Sequence, residues 1–190
     1  MRYLLVSLLL LIGLNAQAAQ STYTENTSPI LQTVAIHSSI DNGPAIETYL
    51  TPYDNAQDRF LQFLDQAQNK CYIASYSITN PDIIKKLIEL HRKGVDVQVL
   101  TDKTQAAGKK ESVALAILQE NDIPVFAGRS VENALMHCKF CVIDDHLVED
   151  GSWNFTTSAN REDNILNFVD SKLRAQRFLD YWLKIQRDMK

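Results

Sequence analysis

The sequence predicts an α/β domain built on a mixed, mostly parallel β-sheet flanked by helices on both faces. Two observations carry that expectation. Short β-prone runs alternate with amphipathic segments, and the connections have lengths suited to crossovers between strands of one sheet. A chain of 190 residues, 45% of them hydrophobic, is long enough for one well-buried core and cramped for two. The domain is therefore expected to occupy residues 45–190 as a single unit.

The elements follow in order. Ala45 to Leu50 alternates as a strand does, and Thr51-Pro52-Tyr53-Asp54 ends it with turn residues. Phe60, Leu61, Phe63, Leu64 and Ala67 recur at helical spacing within Ala56 to Ala67. Cys71 to Ile78 is β-prone. Thr79-Asn80-Pro81-Asp82 then starts a helix whose apolar side is Ile83, Ile84, Leu87, Ile88 and His91 and which stops at Gly94. Val95 to Leu100 reads as a strand, Lys109 to Glu120 as a helix burying Val113, Leu115, Ala116 and Leu118, and Ile123 to Phe126 as a short strand. A hairpin is expected from Cys138–Asp144 and His146–Glu149 around Asp145, then a strand at Ile165 to Val169. A closing helix, Leu173 to Ile185, would bury Leu173, Phe178, Leu179, Trp182 and Ile185. No internal repeat is visible.

Ahead of the domain, Arg2 gives a positive start, Tyr3 to Leu14 is almost wholly apolar, and Ala16-Gln17-Ala18 is a small-x-small cleavage site. A spanning helix needs roughly 20 apolar residues. Residues 1–18 therefore read as a signal peptide rather than an uncleaved anchor. Residues 19–44, rich in Ser, Thr, Asn and Gln, read as a linker or weakly ordered segment. The mature chain is expected outside the cytoplasm, periplasmic or secreted, with no stable membrane anchor.

Losing Arg2 takes the formal charge from −4 to −5, which argues against a broad nucleic-acid-coating surface but not against a local basic cleft. Lys103, Lys109, Lys110, Arg129, Lys139 and Arg161 would line such a cleft, unless they are scattered surface charge. Cys71, Cys138 and Cys141 form no disulfide framework. Three residues along a strand separate Cys138 from Cys141 by ~10 Å, beyond the ~7 Å reach of a disulfide. All three read as small core residues, with a bridge between chains or through Cys71 as the alternative.

The chemistry concentrates between Met136 and Asn164. His137 and Lys139 stand two apart on a presumed strand and so share a face. An imidazole beside a fixed ammonium suits attack on a phosphodiester, because the cation holds the non-bridging oxygens while the neutral ring supplies a nucleophile. Gly151 lets the next backbone approach closely, and Ser152 and Asn154 add neutral donors to the same oxygens. Trp153 and Phe155 alternate with that polar pair, and core packing is the simpler account of them than base stacking. His37, His91 and His146 read as structural histidines. Zinc on His137, Cys138 and Cys141 is disfavoured, because strand alternation splits Cys138 from the other two.

His137-x-Lys139, then Asp144, then Gly151-Ser152-x-Asn154 resembles the signature of the phospholipase D superfamily. The following Phe155-Thr156 and the single copy of the motif resemble its small bacterial endonuclease branch, more loosely from about Ala45 to the C-terminus. The resemblance implies a phospholipase D/nuclease-like fold and no metal or other cofactor. It gives Asp144 the acidic position of the motif, a support for the lysine and the backbone around the site. It also implies a Glu near position 163 that hydrogen-bonds the nucleophilic histidine. Here Asp163 stands there, one methylene shorter, with Glu162 beside it.

A phosphohistidine route needs a second imidazole for proton transfer; His91 also has a Lys two positions later, Lys93, but neither the Asp nor the Gly-Ser-x-Asn of the motif follows it. The single-motif relatives are implied to solve this as a homodimer that shares one site. The expected activity is metal-independent phosphodiester hydrolysis, with DNA or RNA cut at low sequence specificity. A phospholipid substrate is the alternative. An inactive phosphate-binding or interaction module is the alternative of another class.

Overall fold

Strand pairing in a computed structural model, which describes residues 43–189, gives one seven-stranded sheet in the order β1-β7-β6-β5-β2-β3-β4. The strands are β1 (Ile46–Thr51), β2 (Lys70–Ser75), β3 (Asp96–Asp102), β4 (Val125–Gly128), β5 (Lys139–Ile143), β6 (Leu147–Gly151) and β7 (Asn164–Asp170). The helices are α1 (Ala56–Leu64), α2 (Pro81–Arg92), α3 (Lys103–Ala106), α4 (Lys109–Glu120) and α5 (Lys172–Asp188). The expected signal peptide, and the linker up to residue 42, lie outside the described residues. Among the described residues no helix is long and apolar enough to cross a membrane.

The sheet is mixed, as the sequence predicts, but its parallel share is smaller than expected. Only β2-β3 and β3-β4 pair in parallel; β2-β5, β5-β6, β6-β7 and β1-β7 are antiparallel. The crossover helices α2 and α4 account for the parallel half. The short hairpin turn after β5 accounts for the antiparallel β5-β6 pair, because a tight turn joins only antiparallel neighbours.

Helices cover both faces. On one, Phe60 and Leu64 of α1, Leu87 and Leu90 of α2 and Leu115 and Leu118 of α4 close over Ile73, Val97 and Val99. On the other, α5 lays Ala175, Leu179 and Trp182 over Ala74, Leu100, Val142 and Val148, and the Trp182 indole N–H donates to the Ile73 carbonyl at 2.8 Å. Two helix faces differ from expectation. In α4, Val113 and Ala116 are exposed, while Glu111 and Ala114 are buried. The Glu111 carboxylate accepts from the Ile78 N–H (2.8 Å), the Ser77 hydroxyl (2.6 Å) and the Thr101 hydroxyl (3.1 Å), and these bonds turn the helix. In α5, Leu173 in the first turn is exposed, and the helix buries Ala175, Leu179 and Trp182 instead.

One core residue runs against the hydrophobic pattern. Glu149 in β6 pairs with Cys141 and Phe168, is fully buried, and has no hydrogen-bond partner for either carboxylate oxygen among the described residues. Burial, then the neighbouring Asp150, pushes its pKa well above the ordinary glutamate value. Since the folded state holds this proton more tightly than the unfolded chain, stability is greatest below the usual glutamate pKa and falls as pH rises through and above it. Glu149→Gln is expected to remove that slope, which denaturant titrations at pH 5 and pH 8 will read.

Candidate phosphate site at the sheet edge

Strand register brings the motif to one edge of the sheet. There β1, β2, β3, β4 and β6 end while β5 and β7 begin: Thr51 faces Asn164, Ser75 faces both Lys139 and Thr101, Asp102 faces Gly128, and Gly151 faces Leu166. His137 precedes β5 by two residues. The chain after β2 continues the pairing over this edge, with the Tyr76 N–H donating to the Cys138 carbonyl at 2.7 Å. The Phe155 N–H donates to the Ser77 carbonyl at 3.1 Å. The two halves of the motif therefore flank a single extended segment, residues 76–78.

His137 and Lys139 meet as the sequence predicts. The ammonium stands 3.3 and 3.4 Å from the two ring nitrogens of His137 and donates to that residue's carbonyl at 2.9 Å. Lys139 is buried to 8% exposure, whereas His137 is exposed. Shielding by the surrounding chain, then the Lys139 charge, lowers the imidazole pKa, and Asp102 opposes them. Burial lowers that of Lys139 as well. The shielding and the Lys139 charge both favour the neutral ring over the imidazolium. The ammonium contacts no carboxylate among the described residues, so its charge is available to an incoming anion.

Gly151 meets its expectation directly: a Cβ there would stand 2.0 Å from the Ile165 carbonyl oxygen. Trp153 and Phe155 are fully buried against Phe60, with ring centroids 5.7 and 4.7 Å away, so Trp153 is a core anchor and offers no face to a base. Asn154, between them, is half-buried; its amide has no hydrogen-bond partner among the described residues, and its oxygen is enclosed. Ser152 departs from expectation. Its hydroxyl donates to the Asn164 side-chain oxygen and accepts from the Ile165 N–H, both at 3.0 Å, so it ties β6 to β7 instead of presenting a free proton to a phosphate.

The two acidic candidates are not at the imidazole. Asp144 ends β5 at the opposite edge of the sheet, about 17 Å from Lys139 by strand rise. Its carboxylate accepts from the N–H groups of Gln68 (2.7 Å), Asn69 (2.8 Å) and Lys70 (2.7 Å), fastening the entry to β2. It supports the sheet rather than the site. Asp144→Ala is expected to cost roughly 3 kcal/mol, from three orphaned donors and a left-handed backbone. The turnover of the folded fraction should stay within about threefold. Urea melts alongside rates corrected for folded fraction will check this. Asp163 is exposed just before β7 and makes no hydrogen bond to His137.

Three residues absent from the sequence reading complete the site. Asp102, fully buried, accepts the Met136 N–H at 3.0 Å next to His137 and caps α3 through the N–H groups of Thr104 (2.8 Å) and Gln105 (3.2 Å). Tyr76 packs its ring 4.5 Å from the imidazole, and Gln105 donates to the Tyr76 hydroxyl at 2.7 Å. No sequence spacing links them, because the β5-β2-β3 order alone makes them neighbours.

Beside this edge a groove of about 1340 Å³ runs between α2 and α4. Its walls include Ile84, Ile88, Val113 and Ile117, and its lining includes Ser77, Thr156, Lys109, Lys110 and Arg161. Cys71 and Cys141 are buried free thiols with their sulfurs 3.8 Å apart, and Cys138 is a half-buried free thiol. Among the described residues no group of three His, Cys, Asp or Glu side chains is placed to hold a metal ion.

The His137 imidazole and an ammonium with no carboxylate contact among the described residues thus stand together at one sheet edge. Residues 60–185 match the family described as cardiolipin synthase, PLD-like domain, and the chain belongs to the phospholipase D superfamily. It is 38% identical over 136 residues to a mitochondrial cardiolipin hydrolase of Chlamydomonas reinhardtii, a match covering 65% of this chain and 56% of that one. It is 30% identical over 139 residues to a phospholipase D of Rickettsia prowazekii, covering 72% and 65% respectively. The chain thus spans less than two thirds of the length of either relative. The structure is similar to that of Nuc from Salmonella typhimurium, a phospholipase D family member. The TM-score is 0.72 at 26% identity, over 77% of this chain and 97% of that one.

Proposed function

We propose that the protein is a metal-independent phosphodiesterase working through a phosphohistidine on His137, in a site that two copies share across a two-fold axis, with nucleic acid as its substrate. The observation that carries this is the Lys139 ammonium, 3.3 Å from the His137 imidazole and contacting no carboxylate among the described residues. A ring nitrogen attacks phosphorus, forming a P–N bond as the bond to the leaving oxygen breaks, and an imidazolium on the other side protonates that oxygen. The second imidazole, now neutral, takes a proton from water. The hydroxide displaces His137 and leaves a phosphomonoester.

Neither of the other described histidines can serve as that second group. His146 sits in the β5–β6 turn, at the edge opposite His137, with its Nδ1 2.9 Å from Asp170. His91 lies in the last turn of α2, at the same far end. Supply by a second copy of the chain is the economical solution. Export to the periplasm or beyond is supported by the Arg2 and Tyr3–Leu14 signal pattern.

Nucleic acid is favoured by Lys109, Lys110 and Arg161 gathered at the groove in a net acidic chain, and by a likeness that covers nearly all of Nuc. Phospholipid is the second reading, favoured by the groove's aliphatic walls and by the named relatives. The test incubates the protein, in EDTA, with plasmid DNA, RNA, and phosphatidylcholine and cardiolipin vesicles. Cleavage of nucleic acid alone supports the first reading, and headgroup release alone replaces it with the second. No hydrolysis of any of them, or activity abolished by EDTA, contradicts the mechanism. A monomer by light scattering that retains full activity contradicts the shared site.

A further inference from the structure

We infer that Tyr76 is the positioning residue that aims the His137 imidazole, by packing its aromatic ring against it at a tilt. The inference rests on the proposed role of His137 as nucleophile. It starts from an unfilled task. An imidazole that must attack in line needs its ring plane fixed, and a hydrogen-bonded carboxylate is the usual means. Among the described residues no carboxylate is hydrogen-bonded to this ring: Asp163, exposed just before β7, makes no bond to it, and Asp102 binds backbone N–H groups.

What touches the ring is Tyr76, with centroids 4.5 Å apart and planes inclined at 53°. The same aromatic face stands 5.0 Å from the Lys139 ammonium. A π face stabilises a cation without neutralising it, whereas a carboxylate there would cancel the charge meant for the phosphate. Tyr76 thus serves both reacting groups at once.

Tyr76 is itself held at two points. Its N–H is bonded to the Cys138 carbonyl at 2.7 Å, and its hydroxyl accepts from Gln105 at 2.7 Å. Gln105 belongs to α3, capped by Asp102, whose other oxygen takes the Met136 N–H. The contacts form a closed circuit from His137 through Tyr76, Gln105 and Asp102 back to the residue before His137. A misplacement of about 1 Å in a reacting group can cost about 10²-fold in rate, so loss of this packing should appear in turnover.

The test measures kcat, KM and the pH profile on bis(p-nitrophenyl) phosphate for the full chain, with Tyr76→Phe, Tyr76→Leu, Tyr76→Met and His137→Ala. Phe keeps the aromatic ring and should retain at least about a third of kcat, while Leu and Met should each lose about 10²-fold with KM within about threefold. The acid limb should also move to higher pH in Leu and Met. Opening the ring to water removes part of the shielding that lowers its pKa, while Lys139 and Asp102, the charged groups facing it, stay in place. Two variants without the ring are used so that misfolding of one leaves the other to decide, each checked by circular dichroism. If a folded Leu or Met variant matches wild type in kcat and acid limb, or if Phe falls as far as they do, the inference is overturned. If His137→Ala keeps its activity, the nucleophile assignment fails instead, whatever Tyr76 does.

Discussion

Replacing His137 with Asn is expected to lower phosphodiester hydrolysis by at least about 10⁴-fold, since nucleophile and leaving-group chemistry are lost together. The fold should survive. The side chain is exposed and its contacts are the Tyr76 ring and the Lys139 ammonium, so the thermal midpoint should stay within roughly 2 °C of wild type. The same variant tests the sharing of the site. If wild-type and His137→Asn subunits are refolded together in equal amounts, about a quarter of the dimers carry two intact copies. A site that needs both imidazoles predicts about a quarter of the wild-type rate. Independent sites predict about half.

The largest effect on stability is expected at Gly151. Its added Cβ would stand 2.0 Å from the Ile165 oxygen and 2.9 Å from the Ile165 carbonyl carbon, both backbone atoms of β7, so no rotamer change relieves the clash. Relief requires β6 and β7 to part where the Ser152 N–H donates to that same oxygen at 2.9 Å and the Ser152 hydroxyl accepts from the Ile165 N–H. Gly151→Ala should therefore cost roughly 3–5 kcal/mol and lower the thermal midpoint by about 10 °C. Because Asn154 rides on the same turn, activity should fall in the remaining folded fraction too. A loss under about 1 kcal/mol in urea titrations would show that the two strands are not held as closely as described.

Features written locally in the chain were legible. Asp144 and Asp145, with φ of 49° and 63°, make the turn that the hairpin pattern requires. Asn80 caps α2 through the Asp82 N–H at 3.0 Å, with Pro81 in the first turn, as the Asn-Pro-Asp run indicates. The pairing of His137 with Lys139 and the need for Gly151 follow from two-residue alternation and close approach.

Features that depend on which strands become neighbours were not legible. Asp102 sits at the end of β3, Tyr76 just past β2 and His137 just before β5, and only the sheet order brings them together. The four-residue helix α3 is too short to show a period. The motif pattern offers Ser152 as a phosphate donor because it says nothing of Asn164 across the sheet, and that partner takes its proton. The face of α4 departs from its hydrophobic pattern because Glu111, a residue type usually exposed, is satisfied inside by three donors.

The central claim is that His137 carries the phosphoryl group during turnover. A P–N bond is labile in acid and survives alkali, so turnover of a ³²P-labelled substrate in EDTA can be quenched in base and the protein digested for peptide mapping. The account predicts label on the peptide containing His137, absent in His137→Asn and lost on brief acid treatment. Steady hydrolysis with no protein-bound label, or with the label on any other residue, would contradict it.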